Sequence, residues 1–167
     1  MYDSEADTLK HIRRVHVLVD DFMLRLRKRA LNHDRSKLHP PEKEIFDLYT
    51  PQLATLEYGS EEYRAALTNL GPALDHHYKH NRHHPEHHTN GVDDMTLIDL
   101  VEMLCDWKAA SERHDTGYIM QSLMVNEGRF GLSPQLARIL RNTAVEAGWI
   151  HQEDAGGEGN DNARNTQ

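Results

Sequence analysis

EADTLKHIRRVHVLVDDFMLRLRKRALNHDRSK, residues 5–37, is the stretch whose reading decides the fold. Its apolar residues recur at steps of three and four, with Val15, Leu18, Phe22 and Leu26 on one stripe. That is the period of an amphipathic helix, not the alternation of a strand. Taken literally, one helix runs over 5–31. The stretch ends in His33-Asp34, an imidazole beside a carboxylate between apolar and basic neighbours. With His11 upstream and Asp106 downstream, this step offers two neutral nitrogens and two anionic oxygens. Such a set suits a borderline divalent metal and leaves positions open for water and substrate.

The two readings conflict. On one helix, His11 and His33 stand about 33 Å apart at 1.5 Å per residue and cannot share an ion. A break near Val19-Asp20-Asp21 removes the conflict, because Asp21 can cap a second helix that begins at Phe22. The expectation is therefore a helical hairpin with His11 and His33 at one end. His11 is preferred to His16 because it lies on the apolar stripe, four residues before Val15.

Outward from this stretch the helical reading continues. Pro40-Pro41 opens a short helix to about Tyr49, proline being tolerated in the first turn. Ser60 caps another to about Asn69, Gly71-Pro72 interrupts it, and Ala73 to about Lys79 resumes. Residues 80–94 read as an ordered, irregular loop. Thr96 with Asp99 resembles a capping box ahead of a helix to about His114. A further short helix covers 118–127. Ser133-Pro134 starts the last one and Gly148 closes it. Residues 1–155 are expected to form one all-α domain with a central metal site. Residues 156–167, almost without apolar side chains, are expected to be a disordered tail.

Composition narrows the function. Among 167 residues there is one cysteine, Cys105, so no disulfide framework forms within the chain. No apolar run approaches the ~20 residues that span a bilayer, and the acidic N-terminus is unlike a signal peptide, so a cytoplasmic protein is expected. The net charge of −8 argues against stable nucleic-acid binding. Residues 10–37 nevertheless carry nine Lys or Arg against three Asp. That is either a solvated helix face or a positive field that draws in a small anion.

Asp106 sits in a helix among Leu100, Val101, Leu104 and Trp107, where a carboxylate is costly unless it is paired, as with Arg113, or bound to metal. Lys37, four residues after His33, can neutralise a phosphoryl oxygen beside a metal, although a surface lysine would look the same. The segment HHYKHNRHHPEHH, residues 76–88, holds seven of the thirteen histidines. His76, His77, Asn81, His83 and His84 are candidates for a second metal or for substrate contacts, with Tyr78, Lys79 and Arg82 interleaved. A solvated tract that binds metal adventitiously is the plain alternative. His87 and His88 are expected to face solvent.

Together these residues resemble the HD superfamily of metal-dependent phosphohydrolases, and more narrowly a group of small HD-type proteins of phage and bacterial genomes. The motifs are His11 with Val15, His33-Asp34-Arg35-Ser36-Lys37, His76 through Glu86, and Asp106-Trp107, spread over residues 8–150. The resemblance implies a compact HD-type helical domain with His11, His33, Asp34 and Asp106 around a metal, and His76, His77, His83 and His84 near the same cleft. Lys37 resembles the lysine of the His-Asp-x-Gly-Lys step in the branch that opens cyclic dinucleotides. The Gly-Tyr-Pro step of that branch is replaced here by His83-His84-Pro85.

The expected function is hydrolysis of a small phosphoester, a nucleoside monophosphate first. Asp34 and Lys37 would be catalytic, with one or two ions of manganese, cobalt, nickel, iron or zinc. The expected partner is a small phosphorylated substrate, and a homo-oligomer is allowed. The competing expectations are a non-catalytic His-rich metal-binding protein and a phage-type interaction protein on an HD fold.

Overall fold

The first helix does not break. In the computed structural model, which describes residues 3–53, 55, 61–113 and 117–151, α1 runs unbroken over Glu5–Asn32. The expected hairpin is corrected, and the literal reading of the stretch stands. No Gly or Pro interrupts these residues. Asp21 accepts a hydrogen bond from Arg25 Nε at 2.8 Å, and Asp20 faces His16 at 3.7 Å. Both aspartates are thus engaged in pairs four residues apart along a continuous helix, and neither caps a new one. His11 is therefore exposed, about 33 Å up the axis from His33, and cannot be its co-ligand.

α1 stops where the site begins. His33 leaves the helical conformation at φ −53°, ψ 128°, and Asp34 turns left-handed at φ 54°, ψ 14°. Asp tolerates that region better than most L-residues. A 3-10 turn over Arg35–Leu38 follows, then α2 over Glu42–Leu53 and α3 over Glu61–His80. The expected interruption at Gly71-Pro72 does not occur. α3 continues through Pro72, although that residue has no N–H to give to the carbonyl four before it. Two 3-10 turns, Pro85–His87 and Gly91–Asp94, order the loop that follows. The expected cap at Ser60 and the tail 156–167 lie outside the described residues.

α4 (Leu97–Ser111) starts at the capping box foreseen in the sequence. Thr96 N and Oγ1 donate to Asp99 Oδ2 at 2.9 and 2.7 Å, and Asp99 N donates to Thr96 Oγ1 at 3.2 Å. α5 spans Ile119–Phe130 and α6 spans Pro134–Glu146, so the described residues are all-α and hold no strand. Ser133 Oγ accepts from Leu136 N at 3.2 Å. At the far end Gly148 takes φ 72°, and Trp149 N and Gly148 N donate to the carbonyls of Ala144 and Val145, both at 2.9 Å. That pair of bonds is a Schellman closure, which needs the left-handed residue glycine supplies. No helix is long and apolar enough to cross a membrane among the described residues.

The chain divides into two compact units, one of residues 1–90 and 94–102, the other of 91–93 and 103–167. In the second, α5 packs on α6 and the interior is apolar, with Leu104, Ile119, Leu123, Leu140 and Ile150 buried and Trp107 stacked on Phe130. In the first, α2 packs on α3, but the interior is largely ionic. Glu42, His77, Asn81, His83 and Asp99 are buried alongside Ala66, Leu70 and Ala73. Burying so many polar groups is costly unless each has a partner.

Asp99 is one that does. Besides the box it accepts from Arg29 Nη1 at 2.7 Å and from Arg82 Nη2 at 3.1 Å, tying the foot of α1 to α4 and the loop. Burial pushes its carboxyl up, but Thr96, Arg82 and Arg29 together hold it well below the ordinary 3.8. Its contribution is therefore complete above that value and lost as pH falls below it. Asp99→Ala should cost about 2–3 kcal/mol in urea unfolding at neutral pH, since cap and clamp go together. The cost should shrink toward pH 3. A loss below ~0.5 kcal/mol at neutral pH would show that the clamp is decorative.

Candidate metal centre

Four side chains of the first unit converge on one point. Asp34, His77, His83 and His84 each present a ligand atom, all within 4.8 Å of one another. Each arrives by a different local device. Asp34 is thrown inward by its left-handed backbone just past α1. His77 is carried by the last turns of α3, and His83 and His84 by the bend between α3 and the turn at Pro85. Two of the atoms, Asp34 Oδ1 and His83 Nε2, are buried and make no hydrogen bond. They stand 3.5 Å apart, and His77 Nε2 is 3.3 Å from the same carboxylate oxygen. His77 Nε2 and His84 Nε2 lie 2.9 Å apart.

The back of each ring explains why its Nε2 points this way. His77 Nδ1 lies 2.9 Å from Glu42 Oε2 and His33 Nδ1 lies 3.0 Å from Glu102 Oε1. His83 Nδ1 faces the same Glu102 oxygen at 3.4 Å. A carboxylate only accepts, so His33 and His77 donate Nδ1–H to their glutamates, which leaves Nε2 as the nitrogen that a neutral ring offers to a cation. Carboxylates behind histidines in this manner fix the tautomer and raise ligand basicity at metal sites. His33 Nε2 is in turn 3.7 Å from Asp34 Oδ2. Glu42, with no exposed surface, also takes His76 Nδ1 at 2.7 Å and Ser36 Oγ at 3.0 Å.

The carboxylates here are held ionised. Burial pushes Asp34 up, but the His77 ring, the Lys37 ammonium and His33 hold it far below the usual carboxylate range. Burial likewise opposes ionisation at Glu102, where His33, His83 and Arg29 bring it down to about 2. Glu42 is lowered by His76, Ser36 and His77 against the same penalty. A buried, ionised oxygen and a buried ring nitrogen without hydrogen bonds, backed by oriented histidines, fit a divalent cation. A mixed nitrogen and oxygen set of this kind suits zinc, nickel, cobalt, iron or manganese.

The structure sorts the residues singled out in the sequence. His33, Asp34, His76, His77, His83 and His84 gather in the first unit. Lys37 donates to Asp34 Oδ2 at 2.7 Å and is part-exposed at the rim. Asn81 is turned to bracing, its amide nitrogen donating to Ser36 Oγ at 2.7 Å and to the His77 carbonyl at 2.8 Å. Asp106 is half-buried on α4, one turn past Glu102, in the second unit. His11 is excluded. His87 and His88, expected to face solvent, are half-buried and bonded to the carbonyls of Tyr78 and Arg82 at 2.9 and 3.0 Å.

Sequence reasoning missed Glu42 and Glu102. Glu102 had left a signal, because it shares a helical face with Asp106 four residues later, amid apolar neighbours. Glu42 left none, since an acid in the first turn of a helix after Pro-Pro reads as an ordinary dipole partner.

The comparisons with known proteins carry no chemistry of their own. A family described as a family of unknown function (DUF5662) matches residues 1–146, and the chain belongs to it. No curated protein matches, and no solved structure matches.

Proposed function

We propose that this DUF5662 protein is a metal-dependent hydrolase of small phosphoesters, with a nucleoside monophosphate as the first substrate class to try. The observation that carries the reading is the pair Asp34 Oδ1 and His83 Nε2, buried without hydrogen bonds inside a ring of carboxylate-backed histidines. Asp34, His77, His83 and His84, all of the first unit, would hold the ion. The HD resemblance of the His33-Asp34 and Asp106-Trp107 steps supports the choice of phosphoester chemistry. A divalent cation bound there supplies Lewis acidity toward a phosphoryl group and toward water at neutral pH.

The chain's own residues then have distinct tasks. Glu42 and Glu102 orient the rings and keep each Nε2 deprotonated. Asp34 brings negative charge to the ligand set and an oxygen that can accept a proton from attacking water. Lys37 stands with its ammonium on Asp34 and its flank exposed, where it can release that oxygen and meet a phosphate instead. The positive end of residues 10–37 favours a small anion.

The metal-buffer reading is weaker because several histidines of the 76–88 tract are otherwise engaged. His80, His87 and His88 are spent on the backbone carbonyls of His76, Tyr78 and Arg82. A buffer would leave such rings available.

The test is phosphate release from nucleoside monophosphates and cyclic dinucleotides, with manganese, cobalt, nickel, iron and zinc in turn. Lys37→Ala should lower kcat/KM at least tenfold while metal stays bound, since lysine is no ligand and its removal leaves Asp34 intact. No release with any ion, from folded and metal-loaded protein, would remove the enzyme reading.

A further inference from the structure

Asp34 has two carboxylate oxygens, and the cluster engages one of them. Oδ1 is buried without a hydrogen bond and faces His77 Nε2 at 3.3 Å and His83 Nε2 at 3.5 Å. Oδ2 faces a different ring, with His33 Nε2 at 3.7 Å. His33 has the backing of a ligand, because its Nδ1 donates to Glu102 Oε1 at 3.0 Å and Nε2 remains for a cation. A carboxylate that carries an oriented imidazole beside its outer oxygen is the start of a second metal position.

A cation already stands there. Lys37 Nζ lies 2.7 Å from Asp34 Oδ2 and 5.7 Å from the centre of the Phe46 ring. The backbone sets this contact. Lys37 N donates to the Asp34 carbonyl at 2.9 Å, closing one turn of 3-10 helix. In that helix side chains three residues apart eclipse, so the lysine is placed over the aspartate by the turn itself. An ammonium and a divalent ion on one carboxylate oxygen would repel strongly, so the two exclude each other.

We propose that the Lys37 ammonium takes the place of a second metal ion, so that the wild-type centre holds a single divalent ion. The second position, made by His33 Nε2 and Asp34 Oδ2, is latent and opens when the lysine charge is removed. An ion and an ammonium across one carboxylate then play the part of the two ions in a two-metal clamp. The inference rests on the metal-centre reading given above.

Titration of the untagged full chain with manganese, read by electron paramagnetic resonance, tests it. Wild type should bind one ion at the centre and show the spectrum of isolated manganese. Lys37→Met keeps the length and drops the charge. It should take a second ion at least tenfold more tightly than wild type does, with the spectrum of an exchange-coupled pair. Lys37→Gln is a second probe of the same loss, and Lys37→Arg should behave as wild type. Adding His33→Ala to Lys37→Met should remove the second ion and leave the first. A coupled pair in wild type overturns the proposal, as do folded Lys37→Met and Lys37→Gln proteins that bind one isolated ion. An uncoupled second ion that survives His33→Ala would be adventitious binding by the histidine tract, and overturns it equally. In each of these cases the metal centre itself still stands. A wild-type protein that binds no ion removes both.

Discussion

Asp34→Asn should lower the affinity for a first divalent ion at least a hundredfold, about 2.7 kcal/mol, and leave the fold in place. Asp34 supplies the charge in a group whose other members, His77, His83 and His84, coordinate as neutral rings. An amide keeps the shape but loses the anion, and a neutral oxygen is a poor substitute toward a divalent ion. Asparagine is the right probe for a second reason. The residue sits at φ 54°, and asparagine tolerates that left-handed backbone, where alanine would be strained. The same competition titration on His83→Ala should show a comparable loss, because the buried Nε2 without a hydrogen bond is removed. His87→Ala should bind as wild type, since that ring serves the Tyr78 carbonyl and not the cluster. Equal losses across Asp34, His83 and His87 variants would mean that the histidine tract binds metal diffusely.

Glu42→Gln is the second large effect, although Glu42 is no ligand. Its two oxygens accept from His76, His77 and Ser36, and no part of it is exposed. A glutamine offers one accepting oxygen and an NH2 group that clashes with an Nδ1 proton. His77 is then driven toward the tautomer whose proton lies on Nε2, the atom needed for coordination. Metal affinity should fall tenfold to a hundredfold, the range seen when the partner behind a ligating histidine is changed. Far-UV circular dichroism should still report the wild-type helix content. Unchanged affinity in a folded Glu42→Gln protein would show that the carboxylate does not set the tautomer.

How much of this was legible in the sequence depends on how local the physics is. The caps at Thr96, Ser133 and Gly148 are local, and each was readable from a few residues. The all-α class was readable for the same reason, from repeated three-and-four spacing. The hairpin was not in the sequence at all. Only the demand that His11 reach His33 calls for a break, against a plain helical pattern with no Gly or Pro in it. Pro72 misled in the opposite sense, because packing of α3 on α2 carries the helix across the one hydrogen bond that proline deletes. At the site, His33-Asp34 and the His77, His83, His84 cluster were visible as ligand-type residues in dense motifs. Glu42 was invisible because its role depends on α2 meeting α3, a contact between distant residues that no local pattern records.

The central claim is that the buried cluster around Asp34 is a metal site built by this chain. Metal content of untagged protein, followed by chelator competition on the same sample, tests it most directly. The account predicts one or two tightly held ions per chain, with the tight class absent from Asp34→Asn and from His83→Ala and retained in His87→Ala. A wild-type protein that holds no ion tightly, or one that loses several weak ions in proportion to the histidines removed, would contradict it.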